Sequence, residues 1–549
     1  MVGRVTLRLV LTALLLASCA PGSDRSTSSG GARTGGTLVF AAQEPETLHP
    51  FRSTGTQTNA LVYRLAVEGL TSPGADGEAQ PVLAEAVPTI ANRGVSVDGR
   101  AMTVRWSIRP GLRWSDDAPV TSADVRFTWQ AVMSDPQAAS REGYDLMTDV
   151  ETPDERTAIV RYREVDVAYT TRFGGLLPAH VLAGASAETV AAYARAPLGT
   201  GPFRITEFVS GDHVTAVRND RYRVPGRPYL DRVIFRFVSS VEAATAQLRA
   251  GEVDAAGSLS EADAADLATE PALRVVSVPS PTVEAVAFNL SRPAVADTAV
   301  RRALLSATPK AQIADKLLHG LSRPGTSEIP LGWASPAGLS QESYDRTRSQ
   351  ALLNDAGWLP GPDGVRARDG QRLKLRIVST TGNALREAIE QVLVTEWRAI
   401  GVELQIQNVP SSVLTGSWLS GGVRKRGDFD VLLATSGLGV TTPDPQSYLA
   451  QRHRCDAIPR TENNGAGANY ERFCDSRVDA LLDEAGQSLD RARRVSAYRE
   501  VLATLNQHVI AIWLYDRGRY DAYRSRIRGQ SDNGWDVATW NIADWYRVE

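Results

Sequence analysis

The hydrophobic pattern between Thr103 and Val132 predicts a strand, a turn and a helix. In its first part every second residue is apolar: Val104, Trp106 and Ile108. This period of two is typical of a strand with one buried face. After a turn at 109–111, Thr121 and Asp124 form an approximate capping box. Apolar residues then recur at helical spacing: Val125, Trp129 and Val132. A strand and a helix packed on one core explain this segment without any catalytic group.

A second pattern, between residues 373 and 406, predicts two strands joined by a helix. Residues 373–378 alternate as a strand, and 402–406 alternate again. Between them, apolar residues fall at helical spacing: Leu385, Ile389, Val392, Leu393, Trp397 and Ile400. Gly401 can end that helix. A β-α-β unit implies a parallel strand pair with a right-handed crossover, and it places the chain in the α/β class.

Composition limits the choice of function. The chain has 549 residues, is 43% hydrophobic and carries a formal net charge of −3. That length allows two to four domains, and the charge gives no indication of nucleic-acid binding. The chain contains no His-Glu-x-x-His, Gly-x-Ser-x-Gly or Walker A sequence, and its six histidines are scattered. We therefore expect no enzyme activity, no cofactor and no metal site.

The N-terminus has the pattern of a bacterial export signal. Arg4 and Arg8 precede an apolar run at 9–17 that is too short to span a bilayer. Residues 16–19, Leu-Ala-Ser-Cys, resemble a lipobox, which implies removal of residues 1–18 and acylation of Cys19. The alternative is an ordinary signal peptide with an incidental cysteine. Residues 19–36 are rich in Gly and Ser and are expected to form a flexible tether.

Two further cysteines, Cys455 and Cys474, would remain after processing. In an exported protein such a pair is most simply a disulfide, which would contribute about 3 kcal/mol in the chain-entropy model. His453 permits a weaker alternative, a metal site. Three ligands without a fourth make a poor zinc site, so the disulfide is favoured.

The segment from Thr103 to Val132 resembles the signature of the extracellular solute-binding proteins of peptide-type ABC importers, family 5. The matching residues are Trp106, Arg109, Gly111, Trp114, Ser115, Asp116, Pro119, Thr121, Asp124, Val125, Phe127 and Trp129. Asp117 stands where the family usually has Gly, and Asp tolerates positive φ better than most residues. Further landmarks, such as Gly-Thr-Gly-Pro-Phe at 199–203 and Gly-Glu-Val-Asp at 251–254, extend the resemblance from about residue 35 to 546.

This resemblance implies a periplasmic-binding-protein-like two-lobe α/β fold (type II) with an extra small domain and a hinge between the lobes. Domain I would comprise residues 37–70, 197–280 and 510–549. Domain II would comprise 71–196, and domain III would comprise 281–509. The ligand would enter the cleft between domains I and III.

The resemblance also implies a function. The chain would be the substrate-binding lipoprotein of an ABC importer, a monomer that captures a peptide or peptide-like solute and delivers it to the permease. It would lie outside the cytoplasm, anchored to the bacterial cell membrane by a lipid on Cys19. Three alternatives remain open: a binder of a non-peptide solute such as a sugar or metal chelate, a surface adhesion or signalling lipoprotein, and an exported hydrolase.

Candidate ligand-binding residues come from several segments. The family's ligand-side loop corresponds to 54–56, and its "D/E-P-x-S/N-F" motif begins at Asp444. The Asp that holds a peptide's α-amine is missing from 439–441, and the Arg for its carboxylate is missing from 432–433. Glu284 lies in an apolar strand, so it must be paired, be neutral or face a wet cleft. Aromatic residues would then carry more of the binding. The predicted ligand-binding residues are Thr54, Gly55, Thr56, Glu284, Thr441, Asp444, Trp513 and Tyr515.

Overall fold

The computed structural model describes residues 33–52, 57–439 and 442–548. The predicted signal peptide and Cys19 lie outside the described residues, as do Thr54, Gly55, Thr56 and Thr441. Among the helices that the structure describes, none combines the length and the apolar character needed to cross a bilayer.

Strands and helices alternate along much of the described chain. The strands are β1 Thr37–Ala42, β2 Thr71–Pro73, β3 Ala79–Pro81, β4 Val95–Asp98, β5 Ala101–Ser107, β6 Met147–Asp154, β7 Thr157–Tyr162, β8 Phe203–Val209, β9 His213–Arg218, β10 Arg232–Phe237, β11 Ala255–Ala256, β12 Leu273–Phe288, β13 Leu359–Pro360, β14 Arg366–Arg368, β15 Gln371–Arg372, β16 Lys374–Val378, β17 Glu403–Ile406, β18 Val431–Gly437, β19 Ala511–Arg524, β20 Ile527–Arg528 and β21 Tyr546–Arg547. The α-helices are α1 Gln57–Tyr63, α2 Ser122–Ser134, α3 Ala179–Leu182, α4 Ala187–Tyr193, α5 Val241–Ala250, α6 Glu261–Leu267, α7 Pro293–Ala296, α8 Thr298–Ser306, α9 Lys310–Lys316, α10 Arg346–Asp355, α11 Ala384–Arg398, α12 Ser411–Leu414, α13 Val423–Arg426, α14 Gln446–His453, α15 Ser476–Gly486 and α16 Arg491–Gln507.

Ten of the described strands form one mixed sheet in the order β17-β16-β18-β12-β19-β11-β1-β10-β9-β8. We call β1 and β8–β11 the β1 half, and β16–β18 the β18 half. The long strands β12 and β19 lie between the halves and pair antiparallel with each other. Residues 273–279 of β12 pair with 518–524 of β19 beside β11, whereas 283–287 pair with 511–516 beside β18. The two strands therefore carry the chain between the halves in both directions.

Each half of the sheet has its own hydrophobic core. Leu38, Phe40 and Phe235 are fully buried in the core of the β1 half. Val431 and Leu375 are buried on the β18 half, where α11 contributes several apolar residues. The predicted β-α-β unit is present, because β16 and β17 pair in parallel and α11 connects them. Its helix ends at Arg398, before the predicted Gly401.

A separate four-stranded sheet, β4-β5-β7-β6, packs with α2 around its own core. The predicted strand and helix between residues 103 and 132 correspond to β5 and α2. Trp106 and Trp114 are almost fully buried there. The backbone N–H of Thr121 donates to the Asp124 carboxylate at 2.8 Å, as the capping box predicts. Asp117 adopts a φ of 77°, so it occupies the left-handed conformation that glycine favours.

The structure joins Cys455 and Cys474 in a disulfide that closes the loop after α14. His453 does not approach this pair as a metal ligand; its Nε2 contacts the Glu328 carboxylate at 2.5 Å inside the protein. Within residues 33–548 as far as they are described, no cluster of His, Cys, Asp and Glu is arranged to hold a metal ion.

His49 is a buried titratable group in the loop after β1. Its side chain is 5% exposed and packs edge-on against Tyr193 at 5.5 Å between ring centres. Its Nδ1 accepts a hydrogen bond from the Phe51 backbone N–H at 3.3 Å, which requires that this nitrogen carries no proton. Burial, assisted by the nearby Arg52 charge, lowers the pKa of His49 to about 4.

We predict that protonation of His49 weakens the fold in acid. Because the pKa is about 4 in the folded state and about 6.5 in the unfolded state, the unfolded chain binds the extra proton between these values. Stability should therefore fall as pH decreases from 6.5 to 4, by about 3 kcal/mol from this residue. Denaturant unfolding of His49→Asn should reveal a smaller loss between pH 7 and pH 4 than in the wild type. The control His319→Asn, at an exposed histidine, should keep the wild-type dependence.

Candidate ligand-binding site

A cavity of about 400 Å³ lies where β12 and β19 pass between the two halves of the sheet. One part of its wall comes from the middle of these strands and from the end of β18. Another part comes from Ser258 and Leu259, which follow β11, and from Gln57 at the start of α1. A smaller cavity of about 150 Å³ adjoins it, because Gln57, Ser258 and Arg519 line both. Residues distant in sequence therefore meet around one space.

The break in the ladder between β12 and β19 supplies polar groups to this cavity. The pairing shifts register between Pro279 and Val283, and the residues between them include Ser280 and Thr282. Both line the larger cavity, and their hydroxyl oxygens lie 2.8 Å apart. An irregular stretch leaves such side chains free to face a cavity instead of a core.

Glu284 lies directly behind this cavity and is paired. Its side chain is 2% exposed, and Oε1 accepts a hydrogen bond from Nε of Arg386 at 2.7 Å. Oε2 accepts from the Thr435 hydroxyl at 2.8 Å. The guanidinium of Arg386 also donates to Thr380 and Thr435, each at 3.0 Å. Of the three possibilities that the sequence left open, the structure selects pairing. Glu284 is not among the described residues that line the cavity.

Arg517 carries positive charge into the larger cavity. It lies on β19, and its side chain remains 40% exposed. One guanidinium nitrogen donates to the Thr435 hydroxyl at 2.6 Å and lies 3.7 Å from Glu284. Neighbouring Arg519 is different, because it is buried against Asp521 at 2.9 Å and serves to position that part of the strand.

Asp444 is held away from this cavity. It forms an ion pair with Arg494 of α16, and its Oδ1 accepts from the Gln446 backbone N–H at 3.1 Å. Arg494 also donates to the Tyr498 hydroxyl at 3.0 Å. Asp444 is not among the residues that line the two cavities. The arrangement indicates a structural role at the start of α14, in contrast to the ligand contact expected from sequence.

Trp513 and Tyr515 belong to the hydrophobic cores, in contrast to the ligand contact expected from the sequence. Each is only 2% exposed. The indole N–H of Trp513 donates to Asn506 at 2.7 Å, which satisfies it inside the protein. Burial raises the pKa of Tyr515. Both lie on the part of β19 that pairs with β12 in the β18 half, where apolar side chains fill the core.

Described residues close in sequence to Thr56 and Thr441 line the larger cavity. Gln57 follows Thr56 in sequence, and Leu438 and Gly439 lie shortly before Thr441. All three line the larger cavity. The assignment of Thr54, Gly55, Thr56 and Thr441 to the ligand site stays a prediction.

A buried network supports the end of β18 beside the cavity. The Tyr448 hydroxyl accepts from the Gly437 backbone N–H at 2.8 Å and donates to Glu328 at 2.6 Å. Glu328 is also in contact with His453 and close to Arg452. Burial alone would raise the pKa of Glu328, but these charges and the Tyr448 hydrogen bond outweigh it and lower the pKa to about 2. The Tyr of the "D/E-P-x-S/N-F"-like motif thus holds a cavity wall in place.

Sequence reasoning missed the residues that line the cavity. The missed polar residues are Gln57, Ser258, Ser280, Thr282, Thr435, Arg517 and Arg519. One signal was available: residues 516–519, Asp-Arg-Gly-Arg, interrupt the strand directly after the apolar run at 511–515. Such a polar interruption in a central strand indicates that the strand leaves the core there. The other residues carry no comparable pattern.

Comparisons with known sequences identify related proteins. A family model described as bacterial extracellular solute-binding proteins, family 5 Middle, matches residues 78–458. Oligopeptide-binding protein AppA of Bacillus subtilis is 24% identical over 545 residues, which cover 95% of this chain and 94% of AppA. Protein XP55 of Streptomyces lividans is 26% identical over 471 residues, covering 85% and 81% of the two chains.

Solved structures share the fold. NikZ from Campylobacter jejuni, in complex with Ni(L-His), aligns with a TM-score of 0.74 at 21% identity, covering 93% of this chain and 99% of NikZ. AppA from Bacillus subtilis, in complex with a nonapeptide, aligns with a TM-score of 0.71 at 23% identity, covering 94% and 100%. The two-lobe α/β fold predicted from the sequence is thereby confirmed.

We predict that Glu284→Gln destabilises the empty protein. The substitution would leave the Arg386 guanidinium without its charged partner in a buried site. Such a change lowers the free energy of unfolding by about 3–5 kcal/mol. Denaturant unfolding without added ligand measures it. The double variant Glu284→Gln/Arg386→Gln should recover part of the loss, because it removes both charges. The control Glu484→Gln, at an exposed glutamate, should unfold like the wild type. An unchanged midpoint for Glu284→Gln would contradict the structural role.

Proposed function

Because this chain belongs to the bacterial extracellular solute-binding proteins of family 5, we propose that it captures a peptide or peptide-like solute in the larger cavity and delivers it to the permease of an ABC importer. The proposal rests on the position of the larger cavity, which lies where the paired strands β12 and β19 pass from one half of the sheet to the other. The relatives of this chain are binding proteins and not enzymes. AppA, a relative over nearly the whole chain, is an oligopeptide-binding protein.

The proposed mechanism is capture by closure of two lobes. In the domain scheme predicted from sequence, domains I (37–70, 197–280, 510–549) and III (281–509) hold the β1 and β18 halves of the sheet. Domain II (71–196) includes the four-stranded sheet. The register shift between Pro279 and Val283 supports the boundary at 280. On β19 we place the passage from domain III to domain I near Gly518, a few residues after the predicted boundary at 510. A solute between the lobes would favour the closed form by its higher affinity for that form.

We predict that a peptide or peptide-like solute co-purifies with the protein. Denaturation should release it, and mass spectrometry should identify it. Ser280→Trp should empty the cavity, because the indole would occupy the space of the solute. Ser140→Trp, at an exposed position outside the cavity, should retain the wild-type load. Recovery of a sugar or a metal chelate alone would refute the peptide assignment and favour the non-peptide alternative.

We also propose that the mature protein is a monomer that a lipid on Cys19 holds on the outer face of the cell membrane. Residues 20–36 would then tether the binding domains at the membrane, close to the permease. The support is the sequence pattern at the N-terminus together with the extracellular location of the family.

Cys19→Ser should therefore release the protein from the membrane fraction of the cells that express it. The acyl chains on the cysteine provide the membrane affinity, and serine cannot carry the thioether. Cell fractionation measures the distribution, and mass spectrometry of the N-terminal peptide detects the lipid. Ser18→Ala, which keeps Cys19, should remain in the membrane fraction. Membrane retention of Cys19→Ser would disprove the anchor.

A further inference from the structure

Positive charge exceeds negative charge among the described residues that line the larger cavity. Among its described lining residues there are two arginines, Arg517 and Arg519, and no carboxylate. Asp521 lines only the adjoining smaller cavity, where it is paired with Arg519 at 2.9 Å and accepts from the Ser258 backbone N–H at 3.2 Å. That pair is electrically neutral. The cationic character of the larger cavity therefore comes from Arg517.

The acidic residue behind the cavity does not cancel this charge. Glu284 lies 3.7 Å from Arg517, but it is neutralised by Arg386 at 2.7 Å and receives the hydrogen bond of Thr435. One carboxylate thus faces two guanidinium groups, and the three residues together carry one positive charge. Burial raises the pKa of Tyr520, and the charge of Glu261 on α6 adds to this effect. Glu261 is nevertheless not among the residues that line the cavity.

The donors of Arg517 are only partly used. One terminal nitrogen donates to Thr435. Within the described part of the chain, the structure gives no hydrogen bond from Nε or from the second terminal nitrogen of this side chain. These two nitrogens form one edge of the planar guanidinium, the geometry that matches a carboxylate with two parallel hydrogen bonds. Hydroxyl groups of Ser280 and Thr282 line the same cavity.

We infer that the cavity selects its solute by a carboxylate that binds Arg517, and that a free α-amine on the solute is not required. The inference rests on the proposed capture of a peptide or peptide-like solute and specifies its chemistry. A carboxylate would accept hydrogen bonds from the two unused nitrogens of Arg517 and neutralise the excess positive charge. A free ammonium group would find no carboxylate among the described lining residues and would be repelled by the guanidinium.

Four matched peptide pools test this inference. Each contains the same mixed sequences of two to five residues without Asp or Glu, so that the C-terminus is the only carboxylate. The C-terminus is either a free acid or an amide, and the N-terminus is either free or acetylated. Binding to the purified protein is measured by calorimetry and by the rise in melting temperature. Both acid pools should bind, acetylated or not, and both amide pools should bind about 10- to 100-fold more weakly, as expected for loss of charge-assisted hydrogen bonds.

Arg517 variants identify the residue responsible. Arg517→Gln should weaken binding of the acid pools by about the same factor and leave the amide pools unchanged. Arg517→Lys should weaken binding of the acid pools less than Arg517→Gln does. Lysine keeps the positive charge but cannot donate two parallel hydrogen bonds to a carboxylate. Arg105→Gln, at an exposed arginine on β5 outside the cavity, should bind like the wild type. The melting temperature of each empty variant checks that it is folded.

The outcomes separate this inference from the proposed function. Amide pools that bind as well as acid pools would overturn the carboxylate assignment while leaving peptide capture intact. Full binding of the acid pools by Arg517→Gln would do the same. Loss of binding on acetylation would overturn the statement about the amine. If none of the four pools binds the wild-type protein, peptide capture itself fails and the inference fails with it.

Discussion

The pairing of β12 with β19 is the constraint on which the rest of this structure depends. The two strands are the only described elements that belong to both halves of the ten-stranded sheet, and each half has its own core. Where residues 285–287 pair with 511–513, the side chains of the ladder are buried and apolar. Where the register shifts, between Pro279 and Val283, hydroxyl groups face a cavity. The connection between the halves and the larger cavity thus coincide at one discontinuity.

Most charged side chains near that discontinuity are paired inside the protein, whereas one is exposed to the cavity. A buried ion is costly unless it is paired and hydrogen-bonded. Glu284 meets this condition through Arg386 and Thr435, and Asp444 meets it through Arg494. These residues shape the walls of the site and its surroundings. Arg517 remains partly exposed to the cavity, and for that reason it can discriminate between solutes by their charge.

Several parts of the fold could be predicted from the sequence because local chemistry determines them. The alternation before Arg109 is typical of a half-buried strand, and Thr121 with Asp124 can cap the helix wherever it packs. The same holds for the β-α-β unit around α11. The family landmarks added the two-lobe fold. They could not identify the cavity lining, since Gln57, Ser258 and Thr435 are ordinary polar residues whose role depends on which distant segments they meet.

The sequence by itself determined the class of fold, the family and the N-terminal export pattern, because these are written in periodicity and in short ordered motifs. Only the tertiary structure decided which polar residues line the cavity. Trp513 and Tyr515 are as aromatic as any ligand platform, yet the pairing of β19 places them in the cores. Glu284 is as acidic as any amine anchor, yet Arg386 from another element neutralises it. Burial and pairing depend on contacts between segments a hundred or more residues apart, and a linear pattern does not specify them.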